Sequence, residues 1–199
     1  MNISKALLDR SLDEARAVFE AFLEDDMQRQ QVLNGARIMA EALAAGHKII
    51  SCGNGGSHAD AMHFAEELAG KYREHRPAYA AMAIADPTYL SCVGNDYGFD
   101  HVFSRYIEAM GRPGDVLLGI TTSGNSQNVI NAVEAAKARG MKVVLLLGKT
   151  GGQLRKQGDA EVLIPHHGYA DRIQELHIKV IHLWIELIET ALAQVQIRY

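Results

Sequence analysis

The chain has 199 residues, 48% of them hydrophobic and 22% charged, a composition typical of a folded globular domain. A net charge of -4 without any basic run argues against nucleic acid as a partner, since phosphate-backbone binding needs a basic surface. The first ten residues lack the apolar core of a signal peptide, and no apolar run approaches the ~20 residues that span a bilayer. We therefore expect a cytoplasmic protein with no membrane partner, in which Cys52 and Cys92 are free thiols.

Two helices are predicted ahead of the first strand. Apolar residues recur at spacings of three and four between Leu7 and Phe22, and a second helical pattern runs from about Met27 to Ala45. Gly46 follows this pattern as a natural C-cap. Because no strand precedes residues 1–46, we expect these helices to pack outside the sheet or at a subunit interface.

From residue 48 onwards, short apolar runs alternate with helical patterns. The apolar runs predict five strands, at Lys48–Cys52, Ala80–Ala85, Val116–Ile120, Lys142–Leu147 and Glu161–Ile164. The helical patterns lie at Asp60–Tyr72, Phe99–Met110, Gln127–Arg139 and, in a long final helix, from about Asp171 to Ala193. This alternation indicates right-handed βαβ units and a parallel sheet covered on both faces. The sequence thus predicts one doubly wound α/β domain over residues 1–199, with ligands at the carboxyl ends of the strands.

A hydroxyl-rich segment follows the third predicted strand and directly precedes a helix. It reads Thr121-Thr122-Ser123-Gly124-Asn125-Ser126 and carries four hydroxyls. Hydroxyls, free backbone N–H groups and the positive end of a helix dipole all favour a bound anion. No lysine follows in the Walker pattern, so a phosphate monoester fits better than a nucleoside triphosphate. A serine-rich turn that only caps the helix explains the same residues, and the segment alone does not separate the two.

A glycine-rich loop, Ser51–Ser57, follows the first predicted strand. Its three glycines permit a tight turn and a close approach to a ligand. The loop lacks the G-x-G-x-x-G spacing of a dinucleotide site. The alternative is a plain helix start in which Ser57 and Asp60 form a capping box, and both interpretations can hold together.

Four polar residues on two predicted helices have the chemistry of metal ligands. His63 and Glu67 are four positions apart and therefore share one face of their helix. Gln174 and His182 stand eight positions apart in an otherwise apolar helix, where polar side chains need partners. Nitrogen and oxygen atoms from these residues would suit zinc or a similar divalent ion.

Each of these residues also has a purely structural explanation. The spacing of His63 and Glu67 is common among surface pairs on helices. Gln174 could be the capping partner of an N-cap Asp171, and His182 could be a core histidine with its hydrogen bonds satisfied. His177 has the same ambiguity as His182.

Taken together, these motifs resemble the sugar isomerase (SIS) domain, and within it the phosphoheptose isomerase family, along nearly the whole chain. The strongest segments are Ser51–Tyr72, Ser91–Phe99, Gly114–Ile130 and Pro165–His182. The resemblance implies a flavodoxin-like SIS fold with a five-stranded parallel sheet, assembled as a homotetramer with active sites between subunits. It also implies conversion of sedoheptulose 7-phosphate to D-glycero-D-manno-heptose 7-phosphate, an early step towards ADP-heptose and the lipopolysaccharide core.

The resemblance also assigns roles to residues of this sequence. The acid–base pair would be Glu67 and His182, acting through an enediol. One zinc ion per subunit would be held by His63, Glu67, Gln174 and His182. Substrate contacts would come from Asn54, Gly55, Gly56, Glu67, Asn95, Asp96, Thr121, Thr122, Ser123, Ser126 and Gln174.

The sequence departs from the family pattern in two places. Thr121 stands where serine is usual and keeps the hydroxyl, so phosphate binding should survive. Trp184 is bulkier than the usual aliphatic residue, and we expect it to alter the packing near His182. The alternative function is that of a non-catalytic SIS protein that binds phosphosugars or the replication initiator. Such relatives look as if they have lost the pair formed by His63 and Glu67, which this chain retains.

Overall fold

Five parallel strands form the centre of the structure, a computed structural model that describes residues 3–196. The strands are β1 (Ile49–Gly53), β2 (Ala81–Ala83), β3 (Val116–Thr121), β4 (Lys142–Gly148) and β5 (Ala160–Ile164). Their order in the sheet is β2-β1-β3-β4-β5. All residues of β1 and β3 are buried, as expected for parallel strands covered on both faces. The predicted flavodoxin-like sheet is confirmed.

Helices cover both faces of the sheet. They are α1 (Lys5–Glu24), α2 (Asp26–Ala44), α3 (Gly56–Ala69), α4 (Pro87–Asp96), α5 (Ser104–Met110), α6 (Gln127–Ala138) and α7 (Ala170–Gln196). Apolar residues of α2, α3 and α7 form one buried cluster against the sheet, and those of α4, α5 and α6 form a second cluster on the other face. Helix α1 lies outside these layers, with Phe22 as its buried residue. Among the described residues, no helix combines the length and apolar character needed to span a bilayer.

The segment between β2 and β3 differs from the prediction. A continuous helix was expected over Phe99–Met110, whereas a 3-10 turn at Phe99–His101 precedes the short helix α5. Helix α4 was not predicted at all. Its start carries a local signal, because the Asp86 side chain accepts a hydrogen bond from the backbone N–H of Tyr89 and proline occupies the first helical turn.

Helix α2 closes the outer edge of the sheet. The Gln28 side-chain oxygen accepts a hydrogen bond from the backbone N–H of Leu163 at 2.7 Å, and the Gln31 oxygen accepts one from Glu161 at 3.2 Å. Both donors belong to β5, which is an edge strand. Two side chains of α2 thus take the place of a sixth strand.

Both cysteines are free, as predicted. Cys52 lies buried within β1, and burial raises the pKa of its thiol to about 12. Cys92 is exposed on α4. The two thiols therefore lie in different layers of the fold.

Candidate active site

The strand order creates a crevice at the carboxyl ends of β1 and β3. These strands are neighbours, but α3 packs on one face of the sheet and α6 on the other. In open α/β sheets this switch in direction is where ligands bind. The glycine-rich loop follows β1 and the hydroxyl-rich loop follows β3, so the fold brings both predicted loops to this crevice.

The hydroxyl-rich loop is folded around its own side chains. The hydroxyl oxygens of Thr121 and Ser126 are hydrogen-bonded at 3.2 Å, and Thr121 also accepts the backbone N–H of Gly124 at 3.3 Å. Ser126 occupies the N-cap position of α6 but makes no side-chain cap hydrogen bond. The alternative is thus right about the N-cap position of Ser126, but its side chain does not cap the helix. The first N–H groups of α6 have no cap side chain, which suits a bound anion.

A second loop, after β4, supports the hydroxyl-rich loop from behind. The Gly124 carbonyl accepts a hydrogen bond from the backbone N–H of Leu154 at 3.1 Å. Gly124 has a φ of +67°, and a Cβ atom there would lie 1.8 Å from the Gly151 carbonyl oxygen. Asn125 accepts a hydrogen bond from the backbone N–H of Gln153 at 3.0 Å. Only glycine fits at position 124, and the loop is held in one shape.

The glycine-rich loop starts α3 without a side-chain cap. Gly55 is the N-cap residue, with a φ of +55°, and no capping hydrogen bond is made. Ser57 is buried inside the helix, so the capping box predicted for Ser57 and Asp60 is wrong. A Cβ atom at Gly56 would lie 2.5 Å from Nε2 of Gln174. The lack of a side chain at Gly56 thus lets the Gln174 carboxamide of α7 reach the start of α3.

Three of the predicted metal ligands lie together between α3 and α7. His63 Nε2 is 3.0 Å from Glu67 Oε1, and His182 Nε2 is 4.0 Å from Glu67 Oε2. The potential ligand atoms of the three residues lie within 4.8 Å of one another. The His182 ring also stacks on Tyr72, with centroids 5.8 Å apart.

This cluster fits a divalent metal ion. Glu67 Oε2 is buried and has no hydrogen-bond partner among the described residues, so it is an acceptor that a cation would satisfy. Two imidazoles and a carboxylate are ligands that zinc binds in proteins. His182 is only partly buried and faces Glu67, so the explanation of His182 as a satisfied core histidine is wrong.

The core histidine of α7 is His177 instead. It is fully buried, and its Nε2 lies 3.1 Å from the Leu147 carbonyl oxygen. Burial lowers the pKa of His177 to about 4 despite this hydrogen bond, so the ring is neutral at pH 7.

Trp184 lies on the side of α7 that packs against α2. It is fully buried, and its Nε1 donates to the Val32 carbonyl of α2 at 2.9 Å. A Cβ atom at Gly35 would lie 3.0 Å from this nitrogen, so the small residue on α2 makes room for the indole.

Asp60 also belongs to this region, although the sequence pattern indicated only a capping role for it. One carboxylate oxygen of Asp60 is buried without a hydrogen-bond partner in the described part of the chain. Burial raises the pKa of Asp60 to about 6, and the positive form of His63 acts in the opposite direction. The spacing of three between these residues on α3 was the available signal.

Asn95 and Asp96 stand apart from the other predicted substrate residues. Both are exposed at the end of α4. Asn95 Nδ2 donates to Asp96 Oδ1 at 2.7 Å, and Cys92 Sγ donates to the other Asp96 oxygen at 3.6 Å. Within residues 3–196, their side-chain hydrogen bonds join them to one another and to Cys92, and to no other predicted site residue.

The metal-ligand cluster lies well along α3 from the crevice. With a rise of 1.5 Å per residue, the Cα of His63 lies about 10 Å from Gly56 along the helix axis, and that of Glu67 about 16 Å. Gln174 lies beside Gly56, nearer the crevice than the cluster. A single substrate that meets both the hydroxyl-rich loop and Glu67 must therefore be extended, or the two parts must come from different subunits.

Comparison with known proteins identifies the family. The chain matches the SIS domain over residues 12–148. A phosphoheptose isomerase of Pectobacterium atrosepticum is 60% identical over 187 residues, which make up 94% of this chain and 97% of that protein. The chain belongs to the phosphoheptose isomerase family of SIS-domain proteins.

Further relatives agree with this membership. A phosphoheptose isomerase of Aeromonas hydrophila is 57% identical over 188 residues, covering 94% of this chain and 98% of that one. The solved structure of a phosphoheptose isomerase from Neisseria gonorrhoeae has a TM-score of 0.80 at 40% identity, covering 93% and 96% of the two chains. As a member of the phosphoheptose isomerase family, the chain is an enzyme, an isomerase, rather than the non-catalytic binding protein considered as the alternative.

Proposed function

We propose that this cytoplasmic enzyme converts sedoheptulose 7-phosphate to D-glycero-D-manno-heptose 7-phosphate, a step towards ADP-heptose and the lipopolysaccharide core. The observation that carries the proposal is the close approach of Glu67 and His182, with 4.0 Å between Oε2 and Nε2, in a chain of this family. A carboxylate beside an imidazole is the acid–base equipment that an aldose–ketose isomerase needs.

The hydroxyl-rich loop would hold the phosphate. Hydroxyls of Thr121, Thr122, Ser123 and Ser126 and the free N–H groups of α6 are donors suited to a phosphate monoester. A phosphate fixed at one end orients the sugar chain for reaction at the other end. The remaining predicted contacts with the sugar are those of Asn54, Gly55, Gly56, Asn95, Asp96 and Gln174.

Two proton transfers would complete the reaction. Glu67 takes the proton from C1 of the ketose, and the electron pair of that C–H bond forms the C1–C2 double bond of an enediol. His182 exchanges protons with the oxygens on C1 and C2, so that the carbonyl moves from C2 to C1. Glu67 then returns a proton to C2, and the aldose leaves.

A divalent ion, which we propose to be one zinc per subunit, would be held by His63, Glu67 and His182, with Gln174 as a predicted fourth ligand. When bound, zinc would supply Lewis-acid polarisation of the carbonyl. The protein side chains would keep their own tasks, which are to orient the sugar and to move its protons.

The exposed apolar surface of α1 and α2 supports the proposed homotetramer. Leu7, Leu8 and Leu12 of α1 are each more than half exposed, and Leu33 of α2 is 50% exposed. An apolar groove of about 560 Å³ also runs between α2 and α7. Burial of such surfaces is the usual driving force of assembly. Active sites between subunits would bring a second hydroxyl-rich loop within reach of Glu67.

The test is turnover of sedoheptulose 7-phosphate by the purified chain, with and without a chelator and with zinc restored. Glu67→Gln should lower kcat by about 10²–10⁴-fold, since a general base contributes that much. Glu66→Gln is the matched control, because Glu66 is exposed on the same helix and should leave kcat unchanged. Retained binding of the sugar phosphate with no turnover under any metal condition would refute the proposed reaction.

A further inference from the structure

Asn54 and Asn128 form a reciprocal pair of amides across the crevice between β1 and β3. Asn54 Nδ2 donates to Asn128 Oδ1 at 2.8 Å, and Asn128 Nδ2 donates to Asn54 Oδ1 at 2.9 Å. The two residues are 74 positions apart in the chain, one in the loop after β1 and the other in α6. The pair is therefore a direct link between the glycine-rich loop and the helix that follows the hydroxyl-rich loop.

The pair leaves only one of the two amides available to a ligand. A carboxamide has two N–H donors and two oxygen lone pairs, and the pairing uses one of each on both residues. Asn128 is 2% exposed, so its remaining groups are closed to a ligand. Asn54 is partly exposed and lines a cavity of about 190 Å³ together with Gly53, Gly55 and His58. Asn128 thereby fixes which edge of the Asn54 amide is presented.

Asn128 also belongs to the first turn of α6. The backbone N–H groups of Val129 and Ile130 both donate to the Ser126 carbonyl at 3.0 Å. In the described part of the chain, the N–H groups of Gln127 and Asn128 have no hydrogen-bond partner and remain for an anion. One residue therefore offers its backbone to the proposed phosphate position and its side chain to Asn54.

We infer that Asn128 is a positioning residue for substrate recognition. It holds the Asn54 carboxamide so that the free amide edge meets a sugar hydroxyl at a fixed distance from the phosphate. The inference rests on the proposed function, because it assigns a sugar phosphate to the crevice. A residue that merely stabilised the loop would lower the stability of the fold, but its effect on substrate would not depend on Asn54.

A double-mutant cycle on sedoheptulose 7-phosphate tests this dependence. Asn128→Ala should lower kcat/KM by about 10- to 100-fold, chiefly through KM, because it leaves the Asn54 amide unpaired and free to turn. In an Asn54→Ala background, the same substitution should change kcat/KM by less than about twofold. The inhibition constant of inorganic phosphate should stay within about twofold in all variants, since the backbone N–H groups remain.

Asn131→Ala provides the matched control. Asn131 is a partly buried asparagine of the same helix whose Nδ2 donates to the Asp100 carbonyl at 2.9 Å, so Asn131→Ala loses a comparable hydrogen bond away from Asn54. Its kcat/KM should equal that of the wild type. If Asn128→Ala does not fold, Asn128→Ser keeps a donor and an acceptor in a smaller side chain and enters the same cycle.

The inference is overturned if Asn128→Ala lowers kcat/KM equally in the wild-type and Asn54→Ala backgrounds, or if it does not lower kcat/KM in the wild-type background. Calorimetric titration with sedoheptulose 7-phosphate separates this failure from that of the proposed reaction. If the substrate binds without turnover, the proposed reaction is refuted. The double-mutant cycle can then still be measured from dissociation constants. If the substrate binds and reacts, but the effect of Asn128→Ala on kcat/KM is the same with and without Asn54, the positioning role is refuted and the proposed reaction is not.

Discussion

Replacing Gly56 by alanine should disturb the active site while leaving the fold as stable as before. The new Cβ atom would lie 2.5 Å from Nε2, 2.7 Å from Cδ and 2.8 Å from Oε1 of Gln174. Ordinary contacts between heavy atoms are about 3.5–4.0 Å, so the carboxamide must move by about 1 Å. This group is the end of a flexible side chain and moves more easily than the backbone of α3.

The expected magnitudes differ for stability and for activity. Gly56 is the first residue of α3 and does not have a positive φ, and alanine favours a helix over glycine by about 0.5–1 kcal/mol. The free energy of unfolding should therefore stay within about 1 kcal/mol of the wild-type value. If Gln174 contacts the substrate or the metal ion as proposed, its displacement should remove that contact and lower kcat/KM by about 10- to 100-fold.

The assay combines steady-state turnover with urea unfolding for Gly56→Ala, Gln174→Ala and the double variant. In the double variant the Gln174 carboxamide is absent, so the alanine at position 56 has nothing to clash with. Gly56→Ala should therefore cause no further fall in kcat/KM beyond that caused by Gln174→Ala. Wild-type kcat/KM in Gly56→Ala would refute the reasoning, because the position of Gln174 would then be irrelevant to the reaction. A large loss of stability would refute it too, since the backbone would have moved instead of the carboxamide.

Three further changes have defined outcomes. Gly124→Ala adds a Cβ 1.8 Å from the Gly151 carbonyl oxygen at a φ of +67°, and it should lower the free energy of unfolding by about 2–4 kcal/mol and weaken inhibition by phosphate. His63→Ala removes a ligand of the proposed metal site, so less divalent metal should remain after dialysis than in wild type, by elemental analysis. Burial lowers the pKa of His177 to about 4, whereas its value in the unfolded chain is near 6.5. The unfolded state therefore binds the proton more readily, and the wild type loses stability as the pH falls from 6.5 to 4. The glutamine in His177→Gln does not titrate, so the free energy of unfolding of this variant, measured with urea, should fall by about 3 kcal/mol less than that of the wild type between pH 6.5 and 4. An equal fall in both proteins would contradict the lowered pKa of His177.

The sheet could be predicted from the sequence because its central strands β1, β3 and β4 are almost entirely buried. The predicted strand at Val116–Ile120 differs from β3 by one residue. Helix α4 escaped prediction because Val93 is its one buried residue, so apolar periodicity gave no signal there. The predicted helix Phe99–Met110 is interrupted because its first residues form a 3-10 turn that packs against α6.

Only those parts of the candidate site that depend on spacing within one segment of the chain could be predicted from the sequence. The positions of loops at strand ends and the spacing of His63 and Glu67 on one helix face are local properties of the chain. The approach of His182 to Glu67 depends on how α7 packs against α3, which no spacing encodes. The pairing of Asn54 with Asn128 likewise joins residues that are distant in sequence.

The two glutamines that cover β5 limit how this protein can assemble. Exposed strand edges invite pairing with another chain, and Gln28 and Gln31 already occupy the outward N–H groups of β5. At the other edge β2 offers only three residues, too few for a strong strand–strand contact. Neither edge of the sheet therefore favours pairing with the sheet of another copy. In the homotetramer proposed above, contacts between copies would then be made by helices and loops, and each copy would keep its own sheet.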